Sequence, residues 1–293
     1  MKRVFSGGLV LVVLLAGSFF FQTQTSFAQS TAARGIGGGT LNGAIWESSS
    51  TLAVSVSDIT TGSGTVEVDI GTADIVGQNR FSADGNGNAY VEVNVFGGCT
   101  SLGVRVYDGE AGNEFPIPIA PCTSVNSDTI TQKYIALGGT SFFGFPVTME
   151  NPPSQKPGLY QYFNGGPIGI SVIYWSSSTG TWSVHGAILQ EWASLHWENS
   201  FLGFPITDET GTPDGIGRFN HFQGGSIYWT PSTGAHEVHG AIRDYWASRG
   251  WEQSCFGYPT TDEQADGSNG GRISNFQNGW IFWSPSTGIL ASC

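Results

Sequence analysis

The chain is 293 residues long, with 23 Asp and Glu against 11 Lys and Arg and a formal net charge of −12 at pH 7. So few cations exclude a protein that tracks nucleic-acid phosphates, which needs a basic patch or stripe, and they argue against an anionic membrane surface as partner. Acidity alone governs solubility and selects no ligand.

In chain order, Lys2 and Arg3, the apolar run from Leu9 to Phe21 and the triplet Ser26-Phe27-Ala28 have the layout of a secretory signal peptide over residues 1–28. The run is short for a membrane span, and an uncleaved N-terminal anchor is the alternative. Either reading places the protein outside the cytoplasm, secreted or at the cell surface. Loss of Lys2 and Arg3 would take the formal charge from −12 to −14. Residues 29–41 are rich in Gly, Ala and Ser and read as a linker.

Residues 42–122 alternate apolar and polar. Leu52, Val54 and Val56 form one such run, Val66, Val68 and Ile70 another, and Tyr90, Val91, Val93 and Val95 and then Val104, Val106 and Tyr107 follow. Turn segments such as Thr61-Gly62-Ser63-Gly64 and Asp84-Gly85-Asn86-Gly87-Asn88 separate them. Short alternating strands at this spacing predict an antiparallel β-sandwich. Asp84, Asn86 and Asn88 have calcium-loop spacing but no downstream bidentate acid, so they read as a hairpin turn.

From residue 126 to 293 the chain repeats itself. Tyr174-Trp175 returns as Tyr228-Trp229 and Phe282-Trp283, and Ser178-Thr179-Gly180 as Ser232-Thr233-Gly234 and Ser286-Thr287-Gly288, each 54 residues on. Val184-His185-Gly186-Ala187-Ile188 returns as Val238-His239-Gly240-Ala241-Ile242. A fixed period of this length means supersecondary units that bury their apolar faces against one another. Three units are predicted, about 126–184, 185–238 and 239–293. Helical spacing places one helix at 186–195 and another at 240–249. A third falls at 127–137, with Ser127 or Asp128 as N-cap and Gly138-Gly139 as the stop. After each helix come a Gly-aromatic-Pro turn, a strand, a hairpin, a strand and a short strand. The hairpin tips Asn164-Gly165-Gly166, Gln223-Gly224-Gly225 and Gln277-Asn278-Gly279 suit positive φ. Unit one carries extra residues within 167–173.

Phe201-Leu202-Gly203-Phe204-Pro205, Gly217-Arg218-Phe219, Phe222-Gln223-Gly224-Gly225, Tyr228-Trp229 and the Val238 to Ile242 segment together resemble the LGFP repeat family. The resemblance covers about 126–293. It implies a propeller- or pinwheel-like arrangement and a role in anchoring to the cell wall or binding its polysaccharide, arabinogalactan or peptidoglycan, as on secreted and envelope proteins of actinobacteria. Two departures stand out: Leu159 replaces the arginine of Arg218 and Arg272, and Cys255 replaces Phe201. The expected fold is therefore mainly β with short helices, an N-terminal β-sandwich followed by a three-unit array.

Four cysteines in an exported chain favour disulfides over metal or redox chemistry. Of three pairings, Cys99–Cys122 and Cys255–Cys293 keep each bridge within one domain. Cys293 stands in the slot of His185 and His239, so the second bridge would staple the third unit.

On a secreted β-rich scaffold, aromatic rings suit sugar stacking. Trp175, Trp229, Trp283, Trp192 and Trp246 recur in register and read as core. Trp182, which corresponds to His236 and Leu290, and Trp280, which corresponds to Ser226, break the repeat and are the ligand-binding candidates. Asp208 and Asp262, with the neighbouring Glu209 and Glu263, and Arg218, Arg272 and Gln223 are the polar candidates; the same residues also suit internal Arg–Asp pairs or caps. His185 and His239 read as capping or packing residues.

No pattern calls for a catalytic residue, cofactor or metal. Asp208 and Glu209 are adjacent, which is a poor glycosidase pair. There is no G-x-S-x-G elbow, and His236-Glu237-Val238-His239 is not the zinc pattern. The expectation is a non-catalytic wall-binding protein. The alternatives are an envelope-targeted hydrolase or acyltransferase with its site in the N-terminal domain, or a structural or protein-adhesion module.

Overall fold

A computed structural model of the chain describes residues 38–47, 50–70, 74–95, 102–108, 111–116, 129–267 and 270–293. The signal-peptide segment, the Cys99–Cys122 pairing and the N-cap at Ser127 or Asp128 lie outside the described residues.

The alternating runs of the N-terminal part become two antiparallel sheets. The first holds β1 (Thr40–Trp46), β2 (Thr51–Ser57) and β5 (Ala89–Asn94), in the order β1-β2-β5. The second holds β3 (Ser63–Ile70), β4 (Asp74–Ser82), β6 (Leu102–Asp108) and β7 (Ala111–Pro116), in the order β4-β3-β6-β7. Trp46, Leu52, Val54, Val56, Val91 and Val93 of the first sheet share one core with Val66, Phe81, Val104 and Val106 of the second, as period-two patterning requires. The Asp84–Asn88 segment is a turn: the Asp84 carboxylate accepts the amides of Asn86 and Asn88, both at 2.9 Å.

The opposite face of the first sheet is also buried. Every residue of β2 from Leu52 to Val56 is shielded, and Ile45 and Ala53 join a different core, with Ile130, Tyr134, Phe143, Phe163 and Ile173 of the first repeat. Small residues allow this close approach. A Cβ on Gly43 would stand 2.6 Å from the Thr148 carbonyl oxygen, and the buried Ser55 hydroxyl donates to the Pro146 carbonyl.

The three repeats build three four-stranded antiparallel sheets. In order these are β11-β10-β9-β8 (β8 Gly144–Pro146, β9 Leu159–Gly165, β10 Ser171–Ser176, β11 Gly180–His185), then β12 (Thr210–Gly211), β13 (Arg218–His221), β14 (Gly225–Thr230) and β15 (Gly234–His239), then β16 (Gln264–Ala265), β17 (Arg272–Phe276), β18 (Gly279–Ser284) and β19 (Gly288–Ser292). The helices are α1 (Thr129–Ala136), the single turn α2 (Thr140–Phe143), α3 (Gly186–Ser194) and α4 (Gly240–Arg249). The described residues are thus mainly β with four short helices, as expected. Two details differ from the sequence reading. Each sheet opens with a very short edge strand that the pattern did not reveal, and the closing strands β11 and β15 are six residues each, as long as the strands before them.

Helices α3 and α4 each lie between successive sheets. Ile188, Leu189 and Trp192 of α3 share a core with Val172, Tyr174 and Val184 of the sheet before and with Phe222 and Ile227 of the sheet after. Ile242 and Trp246 of α4 repeat this between Tyr228 and Val238 on one side and Phe276 and Ile281 on the other. One face of each of the first two repeat sheets therefore depends on the unit that follows, which explains why the repeat carries two apolar faces and not one.

The Gly-aromatic-Pro turn needs its glycine twice over. Gly144, Gly203 and Gly257 have φ of 74°, 70° and 69°, and a Cβ on Gly203 would come 2.6 Å from Gln223 Oε1. The hairpin-tip glycines do a different job from the one predicted. Gly165 has positive φ, but Gly166, Gly224 and Gly225 do not. They are small because the turn presses on them: a Cβ on Gly224 would lie 2.0 Å from the Phe201 carbonyl oxygen.

Candidate functional site

The recurring polar candidates sit in the joints between units. At the first joint Asp208 Oδ1 accepts the Ser183 amide at 2.9 Å and its hydroxyl at 3.0 Å, and Oδ2 accepts Lys133 Nζ of α1 at 2.8 Å. The same ammonium lies 4.6 Å from the centroid of the Trp182 ring, whose Nε1 donates to Thr179 O at 2.5 Å. Trp182 is half-buried in this joint.

The second joint has the same frame and different chemistry. Asp262 Oδ1 accepts the Glu237 amide at 3.2 Å and faces His236 Nδ1 at 3.0 Å, with His236 Nε2 3.0 Å from Thr233 O. Glu191 of α3 stands where α1 has Lys133. Burial, with the Asp262 charge, pushes the Glu191 carboxyl up to about 7. Burial also works on Asp262, but the His236 hydrogen bond and the Glu237 amide hold it below the usual carboxylate range. His236 is raised by its bond to Asp262.

A second row of acids lies beside the first. Glu209 takes Arg218 Nε at 2.5 Å and faces His185 Nδ1 at 3.1 Å. Glu263 takes Arg272 Nε at 2.9 Å and His239 Nε2 at 3.3 Å, while His239 Nδ1 meets Glu237 at 2.8 Å. The arginines thus pair with the glutamates, not with the aspartates. Burial, then the Arg218 charge, pushes His185 down to about 4, and burial raises Glu209 against the pull of Arg218. Burial opposes the charge on His239 as well, but Glu237 and Glu263 raise it. Gln223 serves the turn: its Oε1 accepts the Phe204 amide at 3.0 Å, as Gln277 does for Tyr258.

Cys255 and Cys293 are joined, with Cα atoms 5.8 Å apart. Their slots are in contact in the earlier units too, where Phe142 meets His185 and Phe201 meets His239, with centroids at 6.0 and 4.3 Å.

Trp280 lies elsewhere, on the outer face of the third sheet. Pairing across the strands aligns Ile273, Phe282 and Leu290 in one row. The matching rows are Tyr160, Tyr174 and Trp182 in the first sheet and Phe219, Tyr228 and His236 in the second. Those rows are covered. Tyr174 is 4% exposed beneath Trp192, with its hydroxyl on Glu198 at 3.1 Å, and Tyr228 is 2% exposed beneath Trp246 and Trp251. The third row is open. Phe282 is half-exposed, Trp280 is 38% and Leu290 49% exposed, and with Ile273 and Asp266 they line an open cavity of about 290 Å³. The two tryptophans singled out in the sequence therefore sit on equivalent sheet faces in opposite circumstances, one inside a joint and one on an uncovered surface.

Sequence reasoning missed Phe282, Ile273 and Leu290. Phe282 entered the sequence reading only as the counterpart of Tyr174 and Tyr228, with no role assigned.

Among the described residues no group of three or more His, Cys, Asp or Glu is placed to hold a metal ion, and no helix is long and apolar enough to cross a membrane. Comparison with protein families matches the LGFP repeat to residues 143–200, 202–254 and 256–291. Each matched segment opens at the turn. The first two run through the sheet into the next helix, the third ends within β19, and α1 lies outside all three. No curated protein matches the chain.

Proposed function

The chain belongs to the LGFP repeat family, and on that premise we propose that it is a non-catalytic protein of the cell surface that holds wall polysaccharide, arabinogalactan or peptidoglycan by resemblance. The observation that carries this reading is the open aromatic face of the third sheet. There an exposed indole lies beside a carboxylate, which suits the CH face and hydroxyls of a sugar. The recurring acids, arginines and histidines support the same reading from the other side. They bind each other and the backbone across the joints, so their recurrence follows from assembling the array.

The export layout of residues 1–28 fits a protein delivered to the wall. The test is co-sedimentation of the chain with purified arabinogalactan and peptidoglycan, with soluble fragments as competitors. Retention on at least one fraction, released by its fragments, is expected. Failure to be retained by any wall fraction would remove the reading.

A further inference from the structure

Independently of the wall-binding reading, we infer that the fold singles out Asn164 for spontaneous deamidation, with the Gly165 amide nitrogen as the attacking group. The chain holds five Asn-Gly pairs. Asn-Gly is the sequence in which this reaction is least hindered, because glycine has no Cβ beside the nitrogen and turns freely. Asn269 lies outside the described residues, and the structure separates the other four pairs.

Three of these four are restrained. Gly87 is buried and donates its amide to Asp84 O at 3.0 Å. Gly43 is buried in β1, where a Cβ would stand 2.6 Å from the Thr148 carbonyl oxygen, and Asn42 Oδ1 accepts the Ser57 hydroxyl at 3.2 Å. A Cβ on Gly279 would overlap the Ser292 carbonyl oxygen, and Asn278 Nδ2 donates to Cys255 O at 3.1 Å. Ring closure requires the main chain to turn until the nitrogen meets the side-chain carbon. Each of these anchors opposes that turn.

Asn164 is held the other way. Its Oδ1 accepts the amide of Gly165 itself at 2.8 Å. Nucleophile and electrophile therefore already face each other, and the hydrogen bond polarises the side-chain carbonyl. Gly165 is exposed at the hairpin tip with φ of 92°, and the nearest atom to a Cβ placed there is Tyr90 Cε2, 4.0 Å away. The sister units carry Gln223 and Gln277 at this slot, each with its Oε1 on the amide of the turn. Asparagine is a methylene shorter and is turned onto its own successor.

In the reaction the Gly165 N–Cγ bond forms as the Cγ–Nδ2 bond breaks, and ammonia leaves with the Gly165 amide proton. Water then opens the cyclic imide. Addition at Cγ gives aspartate, and addition at the main-chain carbonyl carbon gives isoaspartate; neither step is a redox step. Both products place a carboxylate at the tip, and isoaspartate also inserts a methylene into the main chain. Asn164 pairs with Phe145 of β8, whose ring stacks on Tyr90 of the sandwich with centroids 5.2 Å apart. The change therefore falls at the seam between the sandwich and the first repeat.

The experiment is incubation of the full chain at mildly alkaline pH, sampled over days. Peptide mapping by mass spectrometry, with fragmentation that distinguishes isoaspartate from aspartate, gives the rate at each asparagine. Asn164 should deamidate about tenfold or more faster than Asn42, Asn86 or Asn278, with isoaspartate among its products. In urea the four rates should draw together, because the fold no longer selects. Asn164→Gln, which restores the residue type of the sister units, should abolish the reaction at this position while circular dichroism shows the fold retained. Hydrogen exchange in β8 should rise as the native chain ages and stay constant in the variant. A rate at Asn164 no higher than at the other three in the folded chain would overturn the inference. So would an advantage of the same size in urea, since sequence and not structure would then set it. Unchanged exchange in β8 of the deamidated chain would overturn the consequence for the seam.

Discussion

A carboxyl group at position 191 occupies the slot that a lysine fills one unit earlier, and the two joints respond to pH differently because of it. Lys133 neutralises Asp208; Glu191 meets Asp262, His236 and Glu237 with a carboxyl titrating near 7. A carboxyl raised above its unfolded value binds its proton more tightly in the folded state. Stability therefore falls as pH rises from the unfolded carboxylate range to about 7. The raised His236 acts in the same direction, since its charge is lost as pH climbs through its folded pKa. Glu191→Gln should leave the melting temperature unchanged at pH 5 and raise it at pH 8; an equal shift at both would show that the carboxyl is not protonated in the folded joint. A second residue-scale prediction concerns backbone strain. His196 is exposed with φ of 74°, in the slot where the next unit has Gly250. His196→Gly should stabilise by about 0.5–1 kcal/mol in denaturant titration, because a left-handed residue with a side chain costs that order of energy. A loss of stability would mean that the imidazole makes a compensating contact.

At the scale of the element, the turn and the end of the closing strand are fastened three times with two chemistries. In the first two units an aromatic ring meets a histidine, and the strand runs on into a helix that the next sheet covers. In the third, Cys255–Cys293 replaces the ring contact at the end of β19. The bridge spans a sequence separation of 38. Its removal by Cys255→Ser with Cys293→Ser should cost about 3–4 kcal/mol in the chain-entropy picture, and hydrogen exchange should rise first in β19. A cost below about 1 kcal/mol would show that strand pairing alone holds the end.

Much of this level was legible in the sequence. The repeat fixed the positions of α3 and α4, the Gly138-Gly139 stop and the slot equivalence of Cys255 with Phe201 and of Cys293 with His239. The short edge strands were not legible, because two residues such as Thr210-Gly211 carry no periodicity. The role of Gly224 was hidden as well, since a glycine required by a neighbour's proximity looks the same in sequence as one required by its own dihedral angle.

At the scale of the molecule, the N-terminal sandwich stands where a preceding repeat would stand. Gln161 Nε2 donates to the Ala44 carbonyl of β1 at 3.1 Å and to Thr148 O at 2.8 Å. Asn220, its counterpart, donates to the Ser183 carbonyl of β11 at 3.1 Å and to Thr207 O at 2.9 Å. Met149 takes the slot of Asp208 and packs against the sandwich core. Here the sequence misled by omission. Alternation in 42–122 reported one apolar face, while Ala53 and Ser55 read as the outward positions of β2 and are buried by the repeat. A chain beginning at residue 126 would expose the face over Ile130, Tyr134 and Phe163. It should show loss of α1 helicity and concentration-dependent aggregation, measured by circular dichroism and light scattering. A monomer with α1 intact would show that the first repeat closes on its own.

The two ends of the array are thus unlike, and neither is made by the middle unit. That unit receives a sheet on one side and offers one on the other, and at each boundary an aspartate, Asp208 or Asp262, accepts a backbone amide of the preceding closing strand. Duplicating it would lengthen the molecule by one step and alter neither the domain at one end nor the aromatic surface at the other. The length of such an array is in that sense a free variable, adjustable by copy number without any change in the residues that flank the middle unit.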